Sequence, residues 1–190
     1  MENLHVRDNK RYLMKGSETF FWLADTGWLI FGNISEEEAY NYLKNRADKG
    51  FNVIQAVLVY STKELESVNK MYWGGADRIN DEEYWQHVER IIKMADKLGL
   101  YMALLPSWGS LLKNNLITSE NVLVYGRFLA ERLEKNSNII RVLGGDIKAD
   151  NYVEIYRKLG RYFKEKMPDK LISFHPFGWC ASSMWFADDS

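Results

Sequence analysis

Residues 139–150 read IIRVLGGDIKAD, a short apolar run that meets two glycines and then an aspartate. The run 139–143 predicts a buried strand, because β-branched residues suit a pleated surface. Gly144 and Gly145 would weaken that strand, so we place them just past its end, where glycine allows a sharp turn or a close approach. Asp146 is then displayed at the end of a rigid element, either as a helix cap or turn residue or as a working carboxylate.

Outward from this strand, apolar runs alternate with helical stretches along the whole chain. The predicted strands lie at residues 19–24, 51–59, 100–105, 139–143 and 171–175. The predicted helices begin at Ser35, at Asn80 or Asp81, at Thr118 and at about Asp150. Apolar residues recur at helical spacing in each of them, and Ser35 with Glu38 forms a capping-box pattern. This alternation is typical of βαβ architecture with a parallel sheet.

Two folds fit this alternation: an open five-stranded sheet, or part of a (β/α)8 barrel. An open sheet would normally end with a helix over its last strand, whereas residues 182–190, SSMWFADDS, predict a loop. The loops after the second and third strands are long and rich in Trp, Tyr and Gly, as in barrel enzymes, which build their sites at the carboxyl ends of the strands. We therefore predict one α/β domain over residues 1–190. It is the N-terminal portion of a (β/α)8 TIM barrel, with about five βα units in sequential order, because a complete barrel needs about 250 residues.

The composition argues against several classes of partner. With 25 basic against 26 acidic residues and no basic tract, nucleic acid and anionic membranes are poor candidates. The first ten residues, MENLHVRDNK, contain no apolar signal region, and no apolar run approaches membrane-spanning length. Cys180 is the one cysteine, and no two histidines have metal-ligand spacing. We therefore predict no internal disulfide, no metal and no cofactor.

Polar and aromatic residues recur at the same end of successive predicted strands, which indicates a polar pocket lined by aromatic rings. The candidate substrate-binding residues are Asp25, Trp28, Gln55, Trp73, Trp108, His175 and Trp185. Trp and Tyr combine apolar area with a polar handle, which suits the apolar C–H faces of sugar rings. Plainer interpretations stay open: Asp25 as an Asx-turn residue, Gln55 and His175 as satisfied core side chains, and the aromatic residues as loop anchors.

Several motifs, taken together and in order, resemble the apiosidase-like catalytic domain, a group that includes glycoside hydrolase family 140. They are FFWLADTGW from Phe20, GFNVIQ from Gly50, GLYMALLPSWG from Gly99, YGRFL from Tyr125 and NIIRVLGGD from Asn138, followed by His175-Pro176 and Ser182-Ser183. The resemblance covers nearly the whole chain. It implies a (β/α)8 barrel that hydrolyses glycosidic bonds of plant-type polysaccharides with two acidic residues.

Carried over by position, the resemblance makes Asp146 the general acid/base of hydrolysis. The family pattern has a tryptophan where Arg141 stands, and a partner carboxylate near a seventh strand, beyond residue 190. Two carboxyl groups flanking the bond are the minimum for this chemistry. We therefore expect the 190 residues alone to be inactive.

Two rival interpretations stay open: a carbohydrate-binding barrel fragment without turnover, and an open-sheet α/β binding protein of unknown ligand. The resemblance implies an exported or periplasmic bacterial protein, and without it a cytoplasmic location is the expectation. A barrel arc also leaves two unpaired edges and an uncovered apolar face, which invite association. We therefore predict a carbohydrate substrate as the main partner, with self-association of the isolated chain through those edges.

Overall fold

The structure, a computed structural model, describes residues 1–32, 34–60 and 82–188. The chain opens with an antiparallel sheet in the order β1-β2-β3. Its strands are β1 Leu4–Val6, β2 Leu13–Lys15 and β3 Glu18–Phe20. The sequence did not predict this sheet, because strands of three residues are too short to show an alternation pattern.

Five further strands form one parallel sheet, hydrogen-bonded in sequential order. They are β4 Ala24–Thr26, β5 Val53–Val57, β6 Tyr101–Leu105, β7 Ile139–Gly144 and β8 Ile172–His175. This order confirms the predicted arrangement and differs from the 2-1-3-4-5 order of a doubly wound open sheet. The strands β4 and β8 are the two edges of the sheet, and the predicted self-association through such edges stays a prediction.

The first predicted strand, residues 19–24, is wrong. It joins the end of β3 to the start of β4, which are separate strands of two different sheets. A continuous apolar run in the sequence concealed the break between them, because periodicity alone does not show where a chain leaves one sheet and enters another. The other four predicted strands each contain the observed strand or overlap it to within a residue or two.

Helices connect the parallel strands. They are α1 Glu36–Asp48, α2 Glu82–Lys97, α3 Ser110–Lys113, α4 Val122–Leu133, α5 Val153–Lys166 and α6 Ser183–Phe186. The predicted capping box is present at the start of α1, where Ser35 and Glu38 each accept a hydrogen bond from the other's backbone N–H. The short helices α3 and α6 correct the expectation of helix-free loops after the third and fifth parallel strands. Each has four residues, which is about one turn and too short for a periodic signal.

The two faces of the parallel sheet pack against different partners. In β5, Ile54 and Ala56 join the large apolar cluster that contains the helices, whereas Val53 and Val57 join a second cluster on the opposite face. No helical residue belongs to that second cluster within the described parts of the chain. The sheet is therefore covered by helices on one side, and its other side is the inner face of an arc.

The N-terminal sheet closes the amino end of this inner face. Leu4 is buried in the inner cluster, and the Phe20 ring packs edge-on against Tyr101 with 5.4 Å between centroids. The Tyr101 hydroxyl donates to the backbone oxygen of Glu2 at 2.5 Å. Because Tyr101 is the first residue of β6, these contacts cover the amino-terminal ends of the strands. These contacts do not cover the carboxyl-terminal ends of the parallel strands, where the candidate site lies.

Candidate active site

The carboxyl ends of the parallel strands converge on the inner face. Nε2 of Gln55, in β5, lies 3.3 Å from Nδ1 of His175, the last residue of β8. The Trp28 ring, just after β4, is 5.3 Å from the His175 ring. In a flat sheet with strands about 4.8 Å apart, β4 and β8 would be separated by about 19 Å. The contacts therefore require a strongly curved sheet, as in a barrel wall.

We call the residues at this convergence of strand ends the strand-end cluster: Trp28, Gln55, Tyr60, Trp108, Asp146 and His175. Its aromatic rings pack around one another. The centroid of Trp108 lies 5.3 Å from that of Trp28, 5.2 Å from Tyr60 and 6.1 Å from His175. Backbone hydrogen bonds fix the positions of the two tryptophans. The backbone oxygen of Trp28 accepts from the N–H of Val57, and the N–H of Trp108 donates to the backbone oxygen of Val59. Both tryptophans are half-buried, so part of each ring is free to meet a ligand.

The two glycines before Asp146 make the turn possible. Gly144 and Gly145 have φ of 106° and 131°, values that side chains rarely adopt. A Cβ at Gly144 would lie 2.1 Å from the backbone oxygen of His175, and one at Gly145 would lie 2.5 Å from the backbone nitrogen of Gly109. Both alternatives raised by the sequence, a turn and a close approach, are therefore present. The approaching groups are the backbones of neighbouring strand ends.

Asp146 is exposed and stands in the left-handed region, with φ of 60°. It does not cap the following helix: the N-cap position of α5 is Tyr152, with no side-chain cap bond. Its carboxylate has no hydrogen bond or ion pair among the residues that the structure describes. Its charge nevertheless acts on His175. Burial lowers the pKa of His175 and the Asp146 charge raises it, with a net lowering.

Asp25 lies on the opposite face of the sheet, away from the strand-end cluster. It pairs in register with Ile54 and faces α1. Its carboxylate accepts hydrogen bonds from the Thr26 backbone at 2.8 Å, the Tyr42 hydroxyl at 3.1 Å and the Arg46 guanidinium. Partial burial raises the pKa of Asp25, but these donors outweigh it, so the pKa lies below its usual value. The spacing of Tyr42 and Arg46, four residues apart on α1, was the available signal for this anchor.

Trp185 and Trp73 are also outside the cluster as described. Trp185 belongs to α6 and packs on the helix side, with its ring 6.4 Å from Phe174. Its Nε1 donates to Asp150 at 2.8 Å. Trp73 lies outside the described residues. The roles of Asp25, Trp73 and Trp185 as substrate contacts stay predictions, and the geometry does not support them for Asp25 or Trp185.

Arg141, the departure from the family pattern noted above, is also on the helix side. It is 2% exposed, donates to the Met167 sulfur at 2.6 Å and lies over the Phe163 ring at 5.2 Å. Burial lowers its pKa to about 10. Because its side chain points away from the inner face, an arginine in place of the family's tryptophan does not alter the strand-end cluster.

No group of three or more His, Cys, Asp or Glu side chains that could hold a metal ion occurs within residues 1–32, 34–60 and 82–188. In the same ranges, no helix combines the length and the apolar character needed to cross a membrane.

Comparison with known proteins finds relatives of the whole chain. Residues 7–190 match the family described as "Apiosidase-like, catalytic domain". A solved structure described as "Glycoside hydrolase" is 33% identical with a TM-score of 0.87, and the match covers 98% of this chain and 44% of that one. A glycoside hydrolase family 5 protein from Bacteroides vulgatus ATCC 8482 has the same identity and TM-score, and 42% of it is covered. No curated protein matches the chain.

A more distant structure shares the fold. The endo-1,4-beta-mannanase from Rhizomucor miehei is 10% identical with a TM-score of 0.62, over 85% of this chain and 57% of that one. Together with the sequential parallel sheet, these structures confirm the predicted fold class, part of a (β/α) barrel. The chain spans less than half the length of its two 33%-identical relatives.

Proposed function

Because the chain belongs to the apiosidase-like catalytic domain family, we propose that it carries the sugar-binding surface and the general acid/base of a glycoside hydrolase. The solved relatives at 33% identity are described as glycoside hydrolases. The observation that carries the proposal is the position of Asp146, an exposed carboxylate without a structural partner in the described residues. Its charge reaches His175, whose ring lies 5.3 Å from Trp28 and 6.1 Å from Trp108.

Asp146 is suited to move a proton in a glycosidic cleavage. An acid/base must reach the oxygen of the scissile bond, and the turn at Gly144 and Gly145 displays the carboxyl beyond the strand. The Asp146 side chain does not accept a hydrogen bond from the first turn of α5. In its protonated form it donates to the departing glycosidic oxygen, and in its ionised form it accepts a proton from water.

The aromatic rings provide a surface for the sugar. The faces of Trp28, Tyr60 and Trp108 lie around the same convergence of strand ends, and such rings pack against the C–H faces of pyranose and furanose rings. The substrate class that we propose is plant-type polysaccharide, as the family resemblance implies. This role for the rings is preferred to loop anchoring because both tryptophans remain partly exposed.

The strand-end cluster contains one carboxylate among the described residues, whereas hydrolysis needs two. Asp25 cannot supply the second, because Arg46 and Tyr42 hold it on the other face. We propose that the second carboxylate comes from outside the described residues. The single carboxylate also favours a second candidate function for these 190 residues alone, carbohydrate binding without turnover.

The test uses the longest natural protein that contains these 190 residues, on natural glycans and on aryl glycosides with good leaving groups. Asp146→Asn should lower hydrolysis of natural glycans by about 10²–10⁴-fold, the usual size of a proton-transfer contribution. Aryl glycosides need little protonation, so their cleavage to the first product should be less affected. Asp25→Asn is the matched control and should leave the rate per folded molecule unchanged.

Full activity of Asp146→Asn on a natural glycan would contradict the acid/base assignment. The binding role is measured separately on the 190-residue chain, by the quenching of tryptophan fluorescence with plant-wall oligosaccharides. Trp108→Ala should weaken that binding by about 5–30-fold, since stacking and area burial by one aromatic ring contribute about 1–2 kcal/mol. Binding of the oligosaccharides with no hydrolysis in the first assay would favour the second candidate.

A further inference from the structure

Gln55 and His175 meet across the curved sheet. Gln55 is the middle residue of β5 and His175 the last residue of β8, with β6 and β7 between these strands. Their contact joins Nε2 of the amide to Nδ1 of the imidazole at 3.3 Å. Both side chains are half-buried, so the contact satisfies polar atoms that are partly removed from water. The contact is thus a specific pair within the strand-end cluster.

The chemistry of the pair determines where the imidazole proton lies. The NH2 group of glutamine only donates hydrogen bonds, so the ring nitrogen that it meets must accept and carries no proton. A neutral imidazole with an unprotonated Nδ1 holds its proton on Nε2. The reversed amide would instead present its oxygen to a protonated Nδ1, which is the opposite tautomer. The two arrangements are chemically distinct and separable by experiment.

We propose that Gln55 is a positioning residue that fixes His175 as the neutral imidazole with its proton on Nε2. His175 then offers a hydrogen-bond donor to a hydroxyl oxygen of the bound sugar. The sugar as acceptor rests on the proposed function, whereas the tautomer does not.

The surroundings of His175 favour the neutral ring. The rings of Trp28 and Trp108 lie 5.3 Å and 6.1 Å away and help to bury the imidazole, and the loss of hydration on burial disfavours its charged form. Among the residues that the structure describes, Asp146 is the charged group whose field reaches the imidazole, and it acts in the opposite direction. Its effect is smaller than that of burial, so the pKa of His175 lies below its usual value. Gln55 adds no charge and so leaves this balance intact.

A neutral His175 is also compatible with the role proposed for Asp146. A positively charged imidazole would favour the ionised form of the nearby carboxyl. A general acid must hold its proton until the glycosidic bond breaks. An amide partner for His175, in place of a carboxylate, keeps the ring neutral and adds no charge beside the Asp146 carboxyl.

The experiment is two-bond ¹H–¹⁵N NMR on the ¹⁵N-labelled 190-residue chain, which distinguishes protonated from unprotonated ring nitrogens. The chain has three histidines, and loss of one set of signals in His175→Phe assigns that residue. The wild-type chain should show an unprotonated Nδ1 at His175. Gln55→Glu keeps the shape but can only accept, so it should move the proton to Nδ1 and raise the pKa of His175.

Gln86→Glu is the matched control. It makes the same change of net charge on the exposed face of α2 and should leave the His175 signals unchanged. Gln55→Leu removes the bond without adding charge, and it should give a mixture of both tautomers. A protonated Nδ1 in the wild-type chain would overturn the proposal. So would unchanged His175 signals in both folded Gln55 variants, with folding checked by circular dichroism.

A second arm adds plant-wall oligosaccharides to the labelled chain. The His175 Nε2 signal should shift as the binding that is followed by tryptophan fluorescence saturates. Binding without that shift would overturn the role of His175 as donor to the sugar. Absence of any binding would overturn the proposed function and its sugar acceptor, while the tautomer result would still decide the role of Gln55.

Discussion

Two aspartates, Asp25 within β4 and Asp146 just after β7, have opposite environments. Asp25 accepts three hydrogen bonds, including a charged one from Arg46, and faces the helix layer. Asp146 is exposed in left-handed backbone and has no partner in the described chain. The sequence presents both as an acid after an apolar run. The comparison shows that the geometry of the strand end decides whether such an acid stabilises the fold or is displayed to a ligand.

The cause of the difference is the pleat of the strand. Asp25 lies inside β4, so the alternation of side chains assigns it to one face, and that face meets α1. Asp146 follows Gly144 and Gly145, whose positive φ angles take the chain out of the pleat. Its direction is therefore set by the turn and not by the strand. Replacements at these positions should separate the two roles.

The largest expected effect on stability is that of Gly144→Ala. A new Cβ would lie 2.1 Å from the His175 backbone oxygen in a residue with φ of 106°, so both a clash and strain must be relieved. We expect a loss of about 3 kcal/mol or more in the free energy of unfolding, measured by urea denaturation.

Gly50→Ala is the control for Gly144→Ala. Gly50 has φ of 82° but no atom within 4 Å of the added Cβ, so only strain applies, at about 1 kcal/mol. Equal losses at the two glycines would show that the close approach at Gly144 contributes nothing, and the turn would then lose its explanation.

Asp25→Asn should lower the free energy of unfolding by about 1–2 kcal/mol. The change removes a charged acceptor that meets Arg46, and the partial exposure of the pair limits the loss. The control is Asp48→Asn, which removes the carboxylate that pairs with Lys44 on the exposed surface of α1. It should lower the free energy of unfolding by less than about 0.5 kcal/mol. A loss at Asp25 no larger than that at Asp48 would remove the contrast between Asp25 and Asp146.

The loss at Asp25 should depend on pH. The pKa of Asp25 is lowered in the folded protein, so its contribution is fully present above the unfolded value of about 3.9 and is lost as pH falls through the folded value. The difference in unfolding free energy between wild type and Asp25→Asn should be constant from pH 7 to about 5. It should shrink below about pH 4. Chemical denaturation at each pH measures it, and a difference that grows in acid would contradict the sign.

The smallest expected effect is a gain from Asp146→Gly. The left-handed backbone at Asp146 has φ of 60°, which glycine adopts without cost, so relief of strain should stabilise the fold by about 0.5–1 kcal/mol. Asp146→Ala keeps the Cβ and should show no such gain. Thermal denaturation of both variants measures the difference, and a loss in Asp146→Gly would indicate a structural role for the carboxylate.

Local patterns in the sequence account for much of the fold. The alternation of apolar runs with helical spacing predicts the parallel strands β5 to β8 and the four long helices, because burial of one face imposes a period. The capping box of Ser35 and Glu38 marks a helix start by its own hydrogen bonds. By contrast, the N-terminal sheet and the boundary between β3 and β4 depend on contacts such as Phe20 with Tyr101, far apart in the chain.

The sequence by itself determined the order of the parallel strands β5 to β8 and of the four long helices, the place of the two glycines and the residue types at the strand ends. The tertiary structure alone decided which of those residues meet. It turned Asp25 and Trp185 to the helix side, and it brought Gln55 next to His175 across two intervening strands. The physical reason is that side-chain direction follows from the pleat, which is local, whereas the distance between strand ends follows from the curvature of the sheet, which depends on every strand and helix packed against it.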